Sequence, residues 1–118
     1  MSSQKVENWL KNTDSENSVE GYLFDLNNKL KTIQNTAEFA DDLKKYTALG
    51  NSIRLSIYKI LQQQNLCTCV LAELFDIKEG TISHHLKILE NAGLIFGLKR
   101  GFYTVYHTKK NIIEALDR

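Results

Sequence analysis

Two thiols and a cluster of polar and basic side chains carry the chemistry open to this chain. Cys67 and Cys69 are its two cysteines and stand one residue apart. A disulfide between them would close a strained ring. The pair therefore reads as a ligand set for a soft ion, a redox-responsive couple, or two packed thiols without a sensing role. Further on, Gly80, His84, Lys87 and Asn91 recur at helical spacing, flanked by Thr81 and Ser83, and oppose Ile82, Leu86 and Leu89. A helix divided in this way anchors one side and offers hydrogen bonds and positive charge on the other. That outward side suits base edges and phosphates in a DNA major groove. Lys99 and Arg100, followed by Gly101, place two cations where a turn could reach phosphates or a minor groove. The plain alternative is a solvated helix face, with His84 and His85 as ordinary surface and boundary residues.

The elements that must hold these residues follow from periodicity and punctuation. The polar stretch Ser2–Asn17 reads as loose, with one helical turn at most around Val6, Trp9 and Leu10. Val19, Tyr22, Leu23, Leu26, Leu30 and Ile33 form the apolar stripe of a helix capped by Ser18. That stripe has nothing of its own to pack on, so a partner helix is implied. Asn35 and Glu38 suggest a capping box for a second helix with Phe39, Leu43 and Tyr46 inward, stopped at Leu49-Gly50. Asn51 caps a third, with Ile53, Ile57, Ile60 and Leu61 on one side. A short helix over 68–75, with Val70, Leu71 and Leu74 as core candidates, precedes a tight turn at Asp76–Lys78. The polar-faced helix over 79–91 follows and ends at Ala92-Gly93. Leu94–Leu98 and Phe102–His107 read as strands of a hairpin with a Lys99-Arg100-Gly101 turn. Thr108 is placed to cap a last helix, Lys109–Asp117, with Ile112, Ile113 and Leu116 apolar. The expected fold is mainly α with a small β-hairpin, a winged helix-turn-helix. The expected organisation is an N-terminal segment and dimerisation helix over 1–34 and a DNA-binding domain over 35–118.

Bulk composition limits the alternatives. The chain has 118 residues, 42% hydrophobic and 25% charged, with no proline, which is one globular domain's worth. No apolar run approaches the roughly 20 residues that span a bilayer. The N-terminus lacks a charged-then-apolar signal pattern, so a cytoplasmic location without membrane attachment is expected. Net charge is only +1, but residues 1–50 carry six Lys/Arg against eight Asp/Glu, while residues 51–118 carry nine against six. The C-terminal part is where a polyanion would bind. No Ser/His/Asp set, paired carboxylates or glycine-rich phosphate loop points to catalysis. A thiol oxidoreductase is disfavoured because no βαβ unit accompanies the pair and Cys-x-Cys is not Cys-x-x-Cys. The expectation is a non-enzyme. The alternative to DNA binding is a winged helix that meets another protein.

The stretch Leu49–Thr108 resembles the ArsR family of metal- and stress-responsive repressors. The resemblance rests on Leu49–Leu55 (LGNSIRL), Leu66–Cys69 (LCTC) with Leu71–Leu74 (LAEL), Thr81–Leu89 (TISHHLKIL), Asn91–Ile95 (NAGLI) and a wing ending in Tyr106. It implies a homodimer, paired through the N- and C-terminal helices, that binds an inverted-repeat DNA operator and releases it when an inducer binds. It implies DNA contacts at Thr81, Ser83, His84, His85 and Lys87, with Lys99 and Arg100 on the wing. It further implies that Cys67 and Cys69 bind a thiophilic inducer such as arsenite, antimonite, cadmium or lead, with no required cofactor. This chain departs from the fuller pattern. Arsenite prefers three thiolates and tetrahedral ions four ligands, and two cysteines do not complete either set. The Asn111, Glu114 and Asp117 positions contain no histidine, so a zinc site on the last helix is not expected.

Overall fold

A computed structural model describes residues 3–13 and 18–109. The final helix expected over 109–117 lies outside the described residues. Two compact units divide the chain, Met1–Ala40 and Asp41–Arg118.

The first unit contains α1 (Ser3–Asn12) and α2 (Val19–Gln34). The N-terminal segment expected to be loose is a ten-residue helix. Leu10 is buried and α1 packs on α2, while the Trp9 indole Nε1–H donates to the Tyr22 hydroxyl at 3.1 Å. The Val6, Trp9 and Leu10 spacing needed only α2 as a surface to pack on; isolated, so short a helix is marginal. Ser18 caps α2 as its residue type predicts, accepting from the Gly21 N–H at 3.1 Å. Asn35 closes α2 rather than opening the next helix. Thr36 performs that task, its Oγ1 accepting from the Phe39 N–H at 3.1 Å.

Helix α3 (Ala37–Leu49) crosses the division between units. Its expected inward face is open: Leu43 is 57% and Tyr46 71% exposed, Phe39 is also exposed, and Ala48 is its buried residue. In α4 (Ser52–Gln63) the Asn51 side chain accepts from the Ile53 and Arg54 N–H groups, and Ile57 and Leu61 are fully buried. The next two helices, α5 (Thr68–Phe75) and α6 (Glu79–Asn91), flank a turn in which Asp76 adopts φ 53°. Aspartate tolerates that left-handed conformation better than most residues. Leu71 alone of the three expected α5 core residues is buried; Val70 and Leu74 are exposed, and Ala72 and Phe75 pack on the core instead. The 3.6-residue period fits both assignments in so short a helix, so the choice fell to the tertiary contacts.

Helix α6 buries Ile82, Leu86 and Leu89 completely, as its pattern requires. It ends where Gly93, at φ 76°, lets the Gly93 and Leu94 N–H groups bond back to Glu90 and Leu89 carbonyls. Strands β2 (Ile95–Arg100) and β3 (Tyr103–Thr108) pair antiparallel with Arg100 opposite Tyr103. The turn is thus Gly101-Phe102, and Lys99 and Arg100 are the last strand residues rather than turn residues. A third strand absent from the sequence reading, β1 (Leu66–Cys67), pairs Leu66 with Tyr106 and Cys67 with Val105. Sheet order is β1-β3-β2. No helix among the described residues is long and apolar enough to cross a membrane.

Candidate nucleic-acid interface

The core of the second unit sets the orientation of α6. With Ile82, Leu86 and Leu89 inside, Gly80, Thr81, Ser83, His84, Lys87 and Asn91 are all exposed. One helix therefore presents hydroxyls, an imidazole and an ammonium along a face free to meet a groove. Lys99 and Arg100 are exposed at the far end of β2. Beside them Phe102 stands in solvent at the tip of the wing.

His85 differs from its neighbours. It is half-buried, and its Nδ1 lies 3.4 Å from Arg54 Nη1. Arg54 is held from α4 by donating its Nε–H to the Ala48 carbonyl at 2.6 Å. A guanidinium only donates, so His85 Nδ1 is the acceptor and the neutral ring carries its proton on Nε2. Burial, then the Arg54 charge, then His84 hold the His85 pKa below the ordinary 6.5. Sequence reasoning paired His85 with the apolar side of the wheel but missed Arg54, 31 residues away. No local signal connects them.

Cys67 and Cys69 stand at the junction of β1 and α5, Cys67 half-buried and Cys69 exposed, both free thiols. The two thiols act on each other, so that the neighbouring Cys69 lowers the Cys67 pKa and Cys67 raises that of Cys69. The Val70 and Cys69 N–H groups at the start of α5 also favour the Cys67 thiolate. The pair thus has one thiol disposed to ionise and one disposed to keep its proton. Among the described residues no group of three or more His, Cys, Asp or Glu side chains is gathered to hold a metal ion. Two thiols supply half of a tetrahedral set, so an ion held here takes its other ligands from elsewhere.

Helices α5 and α6 share one further property. Their N-cap positions, Cys67 and Lys78, make no side-chain capping bond, whereas Ser18 and Asn51 cap α2 and α4. First-turn N–H groups without a capping side chain are disposed to bind anions.

Known proteins resemble this chain in both sequence and fold. Residues 51–95 match the family described as bacterial regulatory protein, arsR family. The chain is 34% identical over 74 residues to the arsenical resistance operon repressor of Bacillus subtilis, a match covering 62% of this chain and 70% of that protein. It is 33% identical over 77 residues to a cadmium resistance regulatory protein CadC homologue of Staphylococcus aureus, covering 64% of each. The solution structure of a homodimeric winged helix-turn-helix DNA-binding domain from Mycobacterium bovis superposes with a TM-score of 0.61. That match is at 24% identity and covers 68% of this chain and 74% of the other. The described elements therefore form a winged helix-turn-helix.

Proposed function

Because this chain belongs to the arsR family of bacterial regulatory proteins, we propose that it is a cytoplasmic, homodimeric DNA-binding repressor relieved by a thiol-directed inducer. Family membership carries DNA-binding regulation rather than enzymatic catalysis. The observation that supports the surface assignment is the two-sided α6, three side chains fully buried and six residues exposed on the other side. Thr81, Ser83, His84 and Lys87 meet base edges or phosphates from that helix, and Lys99 and Arg100 meet backbone from the wing. His85 contributes an Nε2–H donor fixed by Arg54. The uncapped starts of α5 and α6 add backbone donors for phosphate oxygens.

Dimerisation is supported by α2, which buries none of its residues. Leu23, Leu26, Leu30 and Ile33 line an apolar groove along it and are 42–56% exposed. A stripe of that kind on a helix is covered in solution by a second apolar surface, and in a two-fold repressor by the same helix of a second copy. Two subunits then address two half-sites of an operator.

Cys67 and Cys69 sense the inducer. Arsenite, antimonite, cadmium and lead suit thiolates because both partners are polarizable, and the relatives' names mention arsenical and cadmium resistance. An oxidant addresses the same thiols through Cys67, whose pKa is held below the ordinary thiol value.

Footprinting on the DNA upstream of the gene, repeated with each ion and with a mild oxidant, tests this reading. A protected inverted repeat whose affinity falls steeply with salt, and is lost with at least one agent, supports it. Absence of any salt-dependent DNA binding sinks it in favour of a protein-binding winged helix.

A further inference from the structure

We infer that DNA and an agent held at Cys67 and Cys69 compete for one cleft, so that release comes from occupancy of the DNA site itself. This rests on the DNA-binding reading above and names how its sensor acts. A cavity of about 330 Å³ opens between three elements: Cys67 and Cys69 at the β1–α5 junction, Glu79 and Ser83 on the first turns of α6, and Phe102 and Tyr103 on the wing. The thiols therefore face the same space as the start of the groove-facing helix and the tip of the hairpin. Both helices that open onto it begin without a capping side chain. This is where a duplex backbone passes if α6 lies in a groove and the wing lies alongside.

With about 30 Å³ per water in the liquid, the space amounts to on the order of ten waters, so a maleimide adduct fills far more of it than a methylthio group does. Glu79 is the one acid among its lining residues. Lys78 precedes it, and Lys99 and Arg100 precede the wing tip.

The backbone argues for blocking rather than bending. Cys67 is paired to Val105 through β1–β3, and Leu71 anchors α5 with no exposure. An agent at the thiols meets a helix start held from two sides. The exposed side of the pair, at Cys69, is where added bulk can go, and that side is the cleft.

The test uses the full chain, whose only two cysteines are these, and an operator fragment defined by footprinting. The rate at which N-ethylmaleimide adds to each thiol, the sulfur joining the double bond and a proton completing it, is read by mass spectrometry with and without DNA. Two adducts are then compared for DNA affinity. One is the maleimide adduct. The other is the small methylthio group taken from methyl methanethiosulfonate, which leaves as methanesulfinate. Bound DNA is expected to slow addition at Cys69 by about tenfold or more. The maleimide adduct is expected to weaken DNA binding by a similar factor, and the methylthio adduct by clearly less. Cys67→Ala with Cys69→Ala, which brings no capping hydroxyl to the start of α5, is expected to show the same DNA affinity before and after treatment. Equal addition rates in free and bound protein overturn the inference, as does an equal loss from both adducts, which is the signature of a helix shift. Either result leaves thiol sensing intact if that double variant has lost its response to the inducer. Failure of the untreated parent to bind DNA removes the underlying reading as well, and shows itself before any thiol is modified.

Discussion

At the scale of single residues, Lys87 and Arg100 separate charge from structure most cleanly. Both are exposed, and neither belongs to the hydrophobic core. Lys87→Ala and Arg100→Ala are each expected to weaken operator binding roughly tenfold and to lower the log–log salt slope by about one, with unchanged circular dichroism. Parent-like affinity and slope in both variants would place the interface elsewhere. The two half-buried histidines make a separate prediction. Burial, then Arg100, holds His107 below the ordinary 6.5, as burial and Arg54 hold His85. The unfolded chain then takes up these protons first. Stability is fully present above about 6.5 and is lost as pH falls from there through the lower folded values. The melting temperature should therefore drop between about pH 7.5 and pH 5.5. His107 stacks on Phe96 at 5.3 Å, and its buried Nε2 has no hydrogen-bond partner among the described residues. His107→Phe should keep the stack and flatten part of that drop. An unaltered pH profile in this variant would show that His107 does not contribute.

At the scale of elements, the wing depends on a two-residue turn whose first residue, Gly101, sits at φ 64°. A side chain there would meet nothing within 4 Å, so the cost of Gly101→Ala is conformational alone, roughly 1 kcal/mol. Gly101→Asn should cost less, since asparagine visits that region more readily. Thermal melts of the two variants rank them, and the reverse order would show that the turn relaxes. Gly97 is constrained differently: an added Cβ would lie 2.8 Å from Thr104 Cγ2 across the hairpin. The boundaries and types of α2, α4, α5 and α6 were legible because caps, periodicity and the glycine at 93 are local signals. β1 was not, since two residues carry no period and its partner lies nearly 40 positions away. The exposed state of Leu43 and Tyr46 was equally illegible. Periodicity shows that a helix has an apolar side, and a second surface decides whether that side is covered.

At the scale of the whole molecule, the two units carry different tasks in the proposed repressor, one covering a partner and one reading DNA. Leu26→Asp, in the middle of the open α2 stripe, should leave the Asp41–Arg118 unit folded and convert dimers to monomers by sedimentation. Operator affinity should fall with it, because each half-site would then be held alone. A folded dimer from that variant would show that α2 is not the dimer surface.

The order of residues alone determined that α6 has an anchored side and a free side, that Asn51 and Ser18 begin helices, and that the C-terminal part holds the excess positive charge. Those properties are written within a few residues of one another. The tertiary structure alone decided that Arg54 fixes the proton of His85, that Cys67 belongs to a sheet with the wing, and that the thiols share a cleft with the first turns of α6. Each of these joins side chains or backbone tens of residues apart, and such meetings are settled only when the core has closed around Ile57, Leu61, Leu71 and Leu86.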